Sequence, residues 1–190
     1  LMTFAKFSVL RTDFALKSSQ NFTLQCSLFQ IQGEGGGRSG LIGGKGELGR
    51  NEGGSGEKEG GRGIGESGKE ERGAESLRGC ILYLHGNAGN RLDVLSLMPF
   101  LVEKGFNVCC FDFAGCGLSE GEFISLGMHE SQDALIVANH LRNYFKFRNI
   151  AIWGRSMGGV TTIRAAAKAD NLFAIVVDSA FINLRKLAVE

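Results

Sequence analysis

A serine bracketed by glycines, Gly154-Arg155-Ser156-Met157-Gly158, carries the sharpest chemical signal in this chain of 190 residues. The pattern fits G-x-S-x-G, with the strand-like run NIAIW (149–153) directly before it and a helical pattern directly after it. A chain that reverses so tightly at the serine would drive a Cβ two positions away on either side into the neighbouring strand or helix, which accounts for the glycines. The serine is then held in strained backbone with its hydroxyl exposed, over a helix start whose free N–H groups favour a developing anion. That is the chemistry of a nucleophile in acyl transfer. A second signal, His85-Gly86-Asn87, follows another strand-like run. The backbone N–H groups of Asn87 and Met157 would supply the two donors that an oxyanion needs, each lowering the barrier by about 3 kcal/mol. Gly86 and Gly89 also read as the opening of a helix capped by Asn90 or Asn87, and capping does not exclude catalysis.

These residues must be positioned by the elements around them. CILYLH (80–85), FNVCCFDF (106–113), NIAIW (149–153) and LFAIVV (172–177) are apolar at nearly every position, as in strands buried on both faces. Between them lie helical patterns from Arg91 to Lys104, from Glu130 to Phe145 with Ala134, Ala138, Leu141 and Phe145 on one stripe, and from Met157 to Ala169. Pro99 should kink or split the first. Strand alternating with helix predicts an α/β fold, a mostly parallel sheet with helices on both faces. Ligands then bind beyond the carboxyl ends of the strands, where both signals fall. A strand is also predicted over Phe22 to Ile31.

The stretch 33–79 differs in kind. Its 47 residues hold 19 of the 29 glycines, 9 acidic and 8 basic residues, and few large apolar side chains. Burial there cannot offset conformational entropy, so the composition predicts a disordered insertion. The organisation expected is 1–32 as N-terminal strands, 33–79 as insertion and 80–190 as the main core. A net charge of +1 excludes polyanion binding by bulk charge, so nucleic acid is not an expected partner. No apolar run approaches the roughly 20 residues of a transmembrane helix. The N-terminus lacks the cleavage site of a signal peptide. Five cysteines with no CxxC, three of them inside apolar runs, point to a reducing compartment, and a cytoplasmic location is expected. Cys109 and Cys110 should point to opposite faces of one strand.

HGNAGN, FDFAGCGLSEGE and GRSMGG, in that order and each at a strand end, resemble the α/β-hydrolase superfamily. The likeness is greatest to its serine aminopeptidase-like hydrolases, a group that includes acyl-protein thioesterase-like members. It runs from Cys80 to Glu190, and more weakly over Arg11 to Ile31, which is similar to the antiparallel strands opening the family's sheet. The resemblance implies Ser156 as nucleophile, Met157 and Asn87 as oxyanion donors, a structural role for the loop 115–121, and no cofactor or metal. It implies a small-molecule or acylated-protein substrate. It also implies an order of serine, acid, histidine along the chain. No histidine follows Ser156. The triad acid and base are therefore expected beyond Glu190, with the last strands of the sheet, and the chain as given is expected to turn over little substrate. The start at Leu1 fits a fragment.

Residues already present are weaker candidates for those roles. His85 reads as a hydrogen-bonded structural residue, and His140, beside Asn139 and Arg142, as solvated; His129 precedes a helix. Asp178, ending the fourth strand-like run, is a candidate acid, although the equivalent strand end in the family is usually structural. Asp112 reads as a carboxylate that braces a loop. Gly63 to Lys69 spells most of a phosphate-binding loop, but Glu70 stands where Ser or Thr is needed, and no strand or helix flanks it. Gly35 to Gly40 matches G-x-G-x-x-G only within the glycine-rich run, and a nucleotide-binding reading rests on these two alone. The sequon Asn21-Phe22-Thr23 has no secretory context. The rival to a serine hydrolase is a non-catalytic hydrolase-fold fragment serving as an interaction module, with Leu172 to Val177 as an exposed apolar edge.

Overall fold

A computed structural model describes residues 2–4, 7–32 and 79–183. The predicted insertion lies outside these residues apart from Gly79. Seven strands, β1 (Met2–Phe4), β2 (Phe7–Lys17), β3 (Thr23–Gln32), β4 (Cys80–Leu84), β5 (Asn107–Phe111), β6 (Ile150–Arg155) and β7 (Ala174–Asp178), form one sheet. Their order is β1-β2-β3-β5-β4-β6-β7. The block β5-β4-β6-β7 is parallel throughout, and β1, β2 and β3 join it antiparallel, with Cys26 opposite Phe111 across the junction.

Alternation along the central strands sorts the core into two layers. Cys80, Leu82 and Leu84 of β4, Cys109 and Phe111 of β5, and Ile150 and Ile152 of β6 face one layer. They meet Ala134, Val137, Ala138 and Leu141 of α2 (Met128–Asn143) and Met157 and Ala165 of α3 (Met157–Ala166). Ile81, Tyr83, Val108 and Cys110 face the other layer, against Met98, Leu101 and Val102 of α1 (Met98–Glu103). Helices thus cover both faces, and Cys109 and Cys110 divide between them as the strand period requires.

Pro99 splits the first helical pattern. Residues Arg91–Ser96 form a 3₁₀ turn capped by Asn90, whose side chain accepts the Leu92 N–H at 2.9 Å, and α1 begins afresh with Pro99 in its first turn. A missing N–H costs nothing there, because first-turn donors have no helical acceptor. Helix α2 opens at Gly127, where Glu130 accepts the Gly127 N–H at 2.9 Å and the Ser125 N–H at 2.6 Å.

The apolar strands differ from the expectation of burial on both faces: Ala151 and Trp153 of β6 are half-buried, and β7 departs furthest. Strands β4 and β5 are buried at every position, whereas Ile175, Val176 and Val177 of β7 are 44%, 43% and 40% exposed. The reason is topological: β7 ends the sheet and pairs only with β6 among the described residues.

Candidate active site

Ser156 sits between the last residue of β6 and the first of α3, at φ 54° and ψ −115°. A positive φ is sterically costly for a residue with a Cβ, so the surroundings must hold it there. Two backbone bonds do so: the Ser156 N–H donates to the Asp178 carbonyl at 2.8 Å, and its own carbonyl accepts from Val160 N–H at 3.1 Å. The flanking glycines are required by contact. A Cβ on Gly154 would lie 2.0 Å from the Gly158 oxygen, and one on Gly158 would lie 2.1 Å from the Leu84 oxygen. The second contact means that α3 starts directly against the carboxyl end of β4, where the His85 turn begins.

That turn closes the other side of the site. A methyl built on Gly86 would stand 3.7 Å from the Ser156 Cβ. Gly86, Asn87, Ala88, Gly89, Asp93, Arg155 and Ser156 line one cleft of about 450 Å³. The Asn87 and Met157 N–H groups make no hydrogen bond within the described residues, although Met157 itself is buried. Asn90, and not Asn87, is the residue that caps the following turn.

Behind the cleft lies a polar frame. His85 is fully buried, its Nδ1 2.7 Å from the Gly86 carbonyl oxygen and its Nε2 accepting the Phe113 N–H at 3.2 Å. Burial holds its imidazole below the usual histidine range, against the raising influence of the Gly86 bond and of Asp112 and Asp93. Asp112, also buried, accepts the Arg91 N–H at 2.6 Å, the Leu118 N–H at 2.9 Å and the Arg91 guanidinium. Its own carbonyl accepts from the Ser119 hydroxyl at 2.6 Å. Asp112 therefore braces the loop after β5, as the sequence indicated.

The remaining candidates lie elsewhere or are otherwise engaged. The Asp178 carboxylate accepts from Ser179 at 2.7 Å and lies 3.8 Å from Arg155 Nε. Neither Asp178 nor Ser156 is hydrogen-bonded to a histidine among the described residues. His140 is not solvated as expected: it is half-buried and stacks on Phe14 at 5.2 Å and Tyr144 at 5.0 Å, so burial lowers its pKa. His129 lines a separate cleft of about 830 Å³ with Phe22, Phe123 and Asp133, which Ser156 does not reach. Burial pushes the Cys26 thiol up to about 12 and raises Cys80, Cys109, Cys110 and Cys116, so none is a ready nucleophile. Asp93 and Arg155 are lining residues that the sequence reading did not single out. For Arg155 the signal was adjacency to Ser156; Asp93 gave none.

Comparison with known proteins agrees with this architecture. The sequence profile described as "Serine aminopeptidase, S33" matches residues 75–189. The chain is 30% identical over 118 residues to the uncharacterised protein YfhR of Escherichia coli K12, covering 60% of this chain and 41% of the relative. It is 35% identical over 124 residues to the lysophosphatidylserine lipase ABHD12 of Danio rerio, covering 62% of this chain and 32% of that one. The chain thus spans less than half the length of these curated relatives. Among solved structures, the Pyrococcus furiosus esterase Pf2001 shares the fold with a TM-score of 0.65 at 21% identity, over 95% of this chain and 54% of that one. Est1E from Butyrivibrio proteoclasticus, solved with ferulic acid, gives a TM-score of 0.58 at 17% identity, over 88% and 52%.

Proposed function

The chain belongs to the serine aminopeptidase S33 family of α/β-hydrolases, and from that premise we propose that it is a serine hydrolase acting through an acyl-enzyme on Ser156. The observation that carries this reading is the positive φ of Ser156 at a strand-to-helix bend, on a cleft shared with Asn87. In the reaction, Ser156 Oγ attacks the substrate carbonyl as a base removes its proton. The carbonyl oxygen becomes an oxyanion that accepts from the Asn87 and Met157 N–H groups. Collapse expels the leaving group, which takes the proton from the base, and leaves the acyl-enzyme. Water, activated by the same base, then releases the acid and restores the serine. The base and its acid partner are proposed to be a histidine and a carboxylate following Glu190, in the order the family uses.

An ester is the bond that the relatives favour, since one is a lysophosphatidylserine lipase and another an esterase. Around Ser156 the cleft is lined by backbone, small side chains and two charged residues, Asp93 and Arg155. The exposed apolar β7 is the observation that favours the second reading, a non-catalytic interaction module. Assay of the full-length gene product on p-nitrophenyl esters and on an acyl thioester separates the two. A hydrolase shows turnover that falls on the order of 10⁶-fold in Ser156→Ala. A module shows the same background rate for both proteins.

A further inference from the structure

Asp133 is a buried carboxylate with one oxygen to spare. The residue is 1% exposed, and its Oδ1 accepts the Ser19 N–H at 2.8 Å and the Ser19 hydroxyl at 2.9 Å, tying the turn between β2 and β3 to α2. Its Oδ2 accepts no hydrogen bond, and Asp133 belongs to none of the ion pairs among the described residues. Every side-chain oxygen or nitrogen sealed from solvent among those residues has a hydrogen-bond partner. Oδ2 has none, so it is not sealed, and the space it meets is the cleft of about 830 Å³ that Asp133 lines. The other carboxylates of that cleft differ. Glu130 accepts from Ser125 and Gly127, Glu120 accepts the Thr23 N–H at 2.6 Å beside Lys17, and Glu122 is exposed. Burial, with the Glu130 charge beside it, raises the Asp133 carboxyl above its usual range, against the lowering bonds from Ser19. A buried anion left without a cation favours a ligand that brings one.

The form of that cation follows from the two oxygens. A guanidinium pairs best with a carboxylate through a two-pronged fork, and Oδ1 is already taken by Ser19, so a single ammonium N–H is the better match. The walls indicate what carries it. Phe22, Phe123, Ile124 and Ala114 line the same cleft, and Phe123 is 84% exposed, so an apolar stem laid there leaves water. We propose that this cleft binds a primary ammonium on an apolar stem, the ammonium donating to Asp133 Oδ2 and the stem lying against Phe22 and Phe123. The site is distinct from that of Ser156, since the two clefts share no lining residue. Binding there does not depend on whether Ser156 is a nucleophile.

Calorimetric titration of the full-length gene product with hexylammonium, at neutral pH and low salt, tests the site without reference to activity. Hexan-1-ol, which keeps the stem and lacks the charge, is expected to bind about tenfold more weakly or worse, the worth of one charge-assisted hydrogen bond. Asp133→Asn keeps an acceptor for Ser19 and puts an N–H donor in place of Oδ2, so it should weaken hexylammonium by about tenfold or more. Phe123→Ala removes an exposed ring and should weaken it about threefold. An ammonium on an apolar stem comes from a free amine or from a lysine side chain. A blocked peptide holding one lysine, titrated beside hexylammonium, distinguishes the two: binding of the peptide assigns lysine, and binding of hexylammonium alone assigns a free amine. The proposal is overturned if hexan-1-ol binds as tightly as hexylammonium, if folded Asp133→Asn keeps the parent affinity, or if neither amine nor peptide binds at about 10 mM. Should Asp133→Asn not fold, the ¹³Cγ signal of Asp133 in the parent carries the test. It is expected to move on addition of hexylammonium, and an unmoved signal at saturation overturns the proposal equally.

Discussion

Gly154, Gly158 and Ser156 are bound to one another by volume. Backbone oxygens occupy the places where a Cβ on either glycine would go, so the bend that exposes the serine exists only while both stay bare. Gly158→Ala should cost about 3 kcal/mol or more, since its methyl meets the fixed backbone of Leu84 and not a movable side chain. A urea titration checks this, and an unchanged midpoint would show that α3 can back away from β4. The two asparagines of the neighbouring turn should behave oppositely. Asn87→Ala should leave kcat within about twofold, because the proposed oxyanion pocket uses only its backbone N–H. Asn90→Ala should cost about 1 kcal/mol of stability through loss of its bond to Leu92. The glycine spacing made Ser156 legible in the sequence. The partnership of His85 with Phe113 was not, because it joins residues from different strand ends.

At the scale of elements, the loop after β5 is held by a buried charge pair. Asp112 has no exposed surface and the Arg91 side chain little, so removing the carboxylate strands a guanidinium away from water. Asp112→Ala should therefore cost about 3–5 kcal/mol, read from the denaturant midpoint. A loss below about 1 kcal/mol would mean that water replaces Asp112. Strands β4 and β5 are readable because a strand covered on both faces must be apolar at successive positions, and both are buried throughout. Position in the sheet is not written in that pattern, and β7 carries the same apolar run on an exposed edge. His140 was misread for a related reason. Phe14, on which it stacks, comes from a strand far away in sequence, and its neighbours Asn139 and Arg142 say nothing of it.

For the molecule as a whole, the two histidines held neutral by burial make stability depend on pH. Each has a folded pKa below 6.5, so near neutrality and below the unfolded chain binds protons that the folded chain refuses. Their contribution is complete above 6.5 and is lost as the pH falls through 6.5 toward the folded values. The urea midpoint should accordingly drop between about pH 7.5 and 5.5, and drop less in His85→Asn; a rise over that window would contradict the sign. The sheet order that sets His85 beneath the elbow also sets Ser156 at the rim of the cleft. The most direct test of that arrangement is treatment of the folded full-length gene product with a fluorophosphonate, followed by digestion and mass spectrometry. The adduct is predicted on Ser156 and should vanish both in Ser156→Ala and on unfolding. An adduct on another residue, or none in protein shown to be folded, would contradict the assignment of Ser156 as the nucleophile.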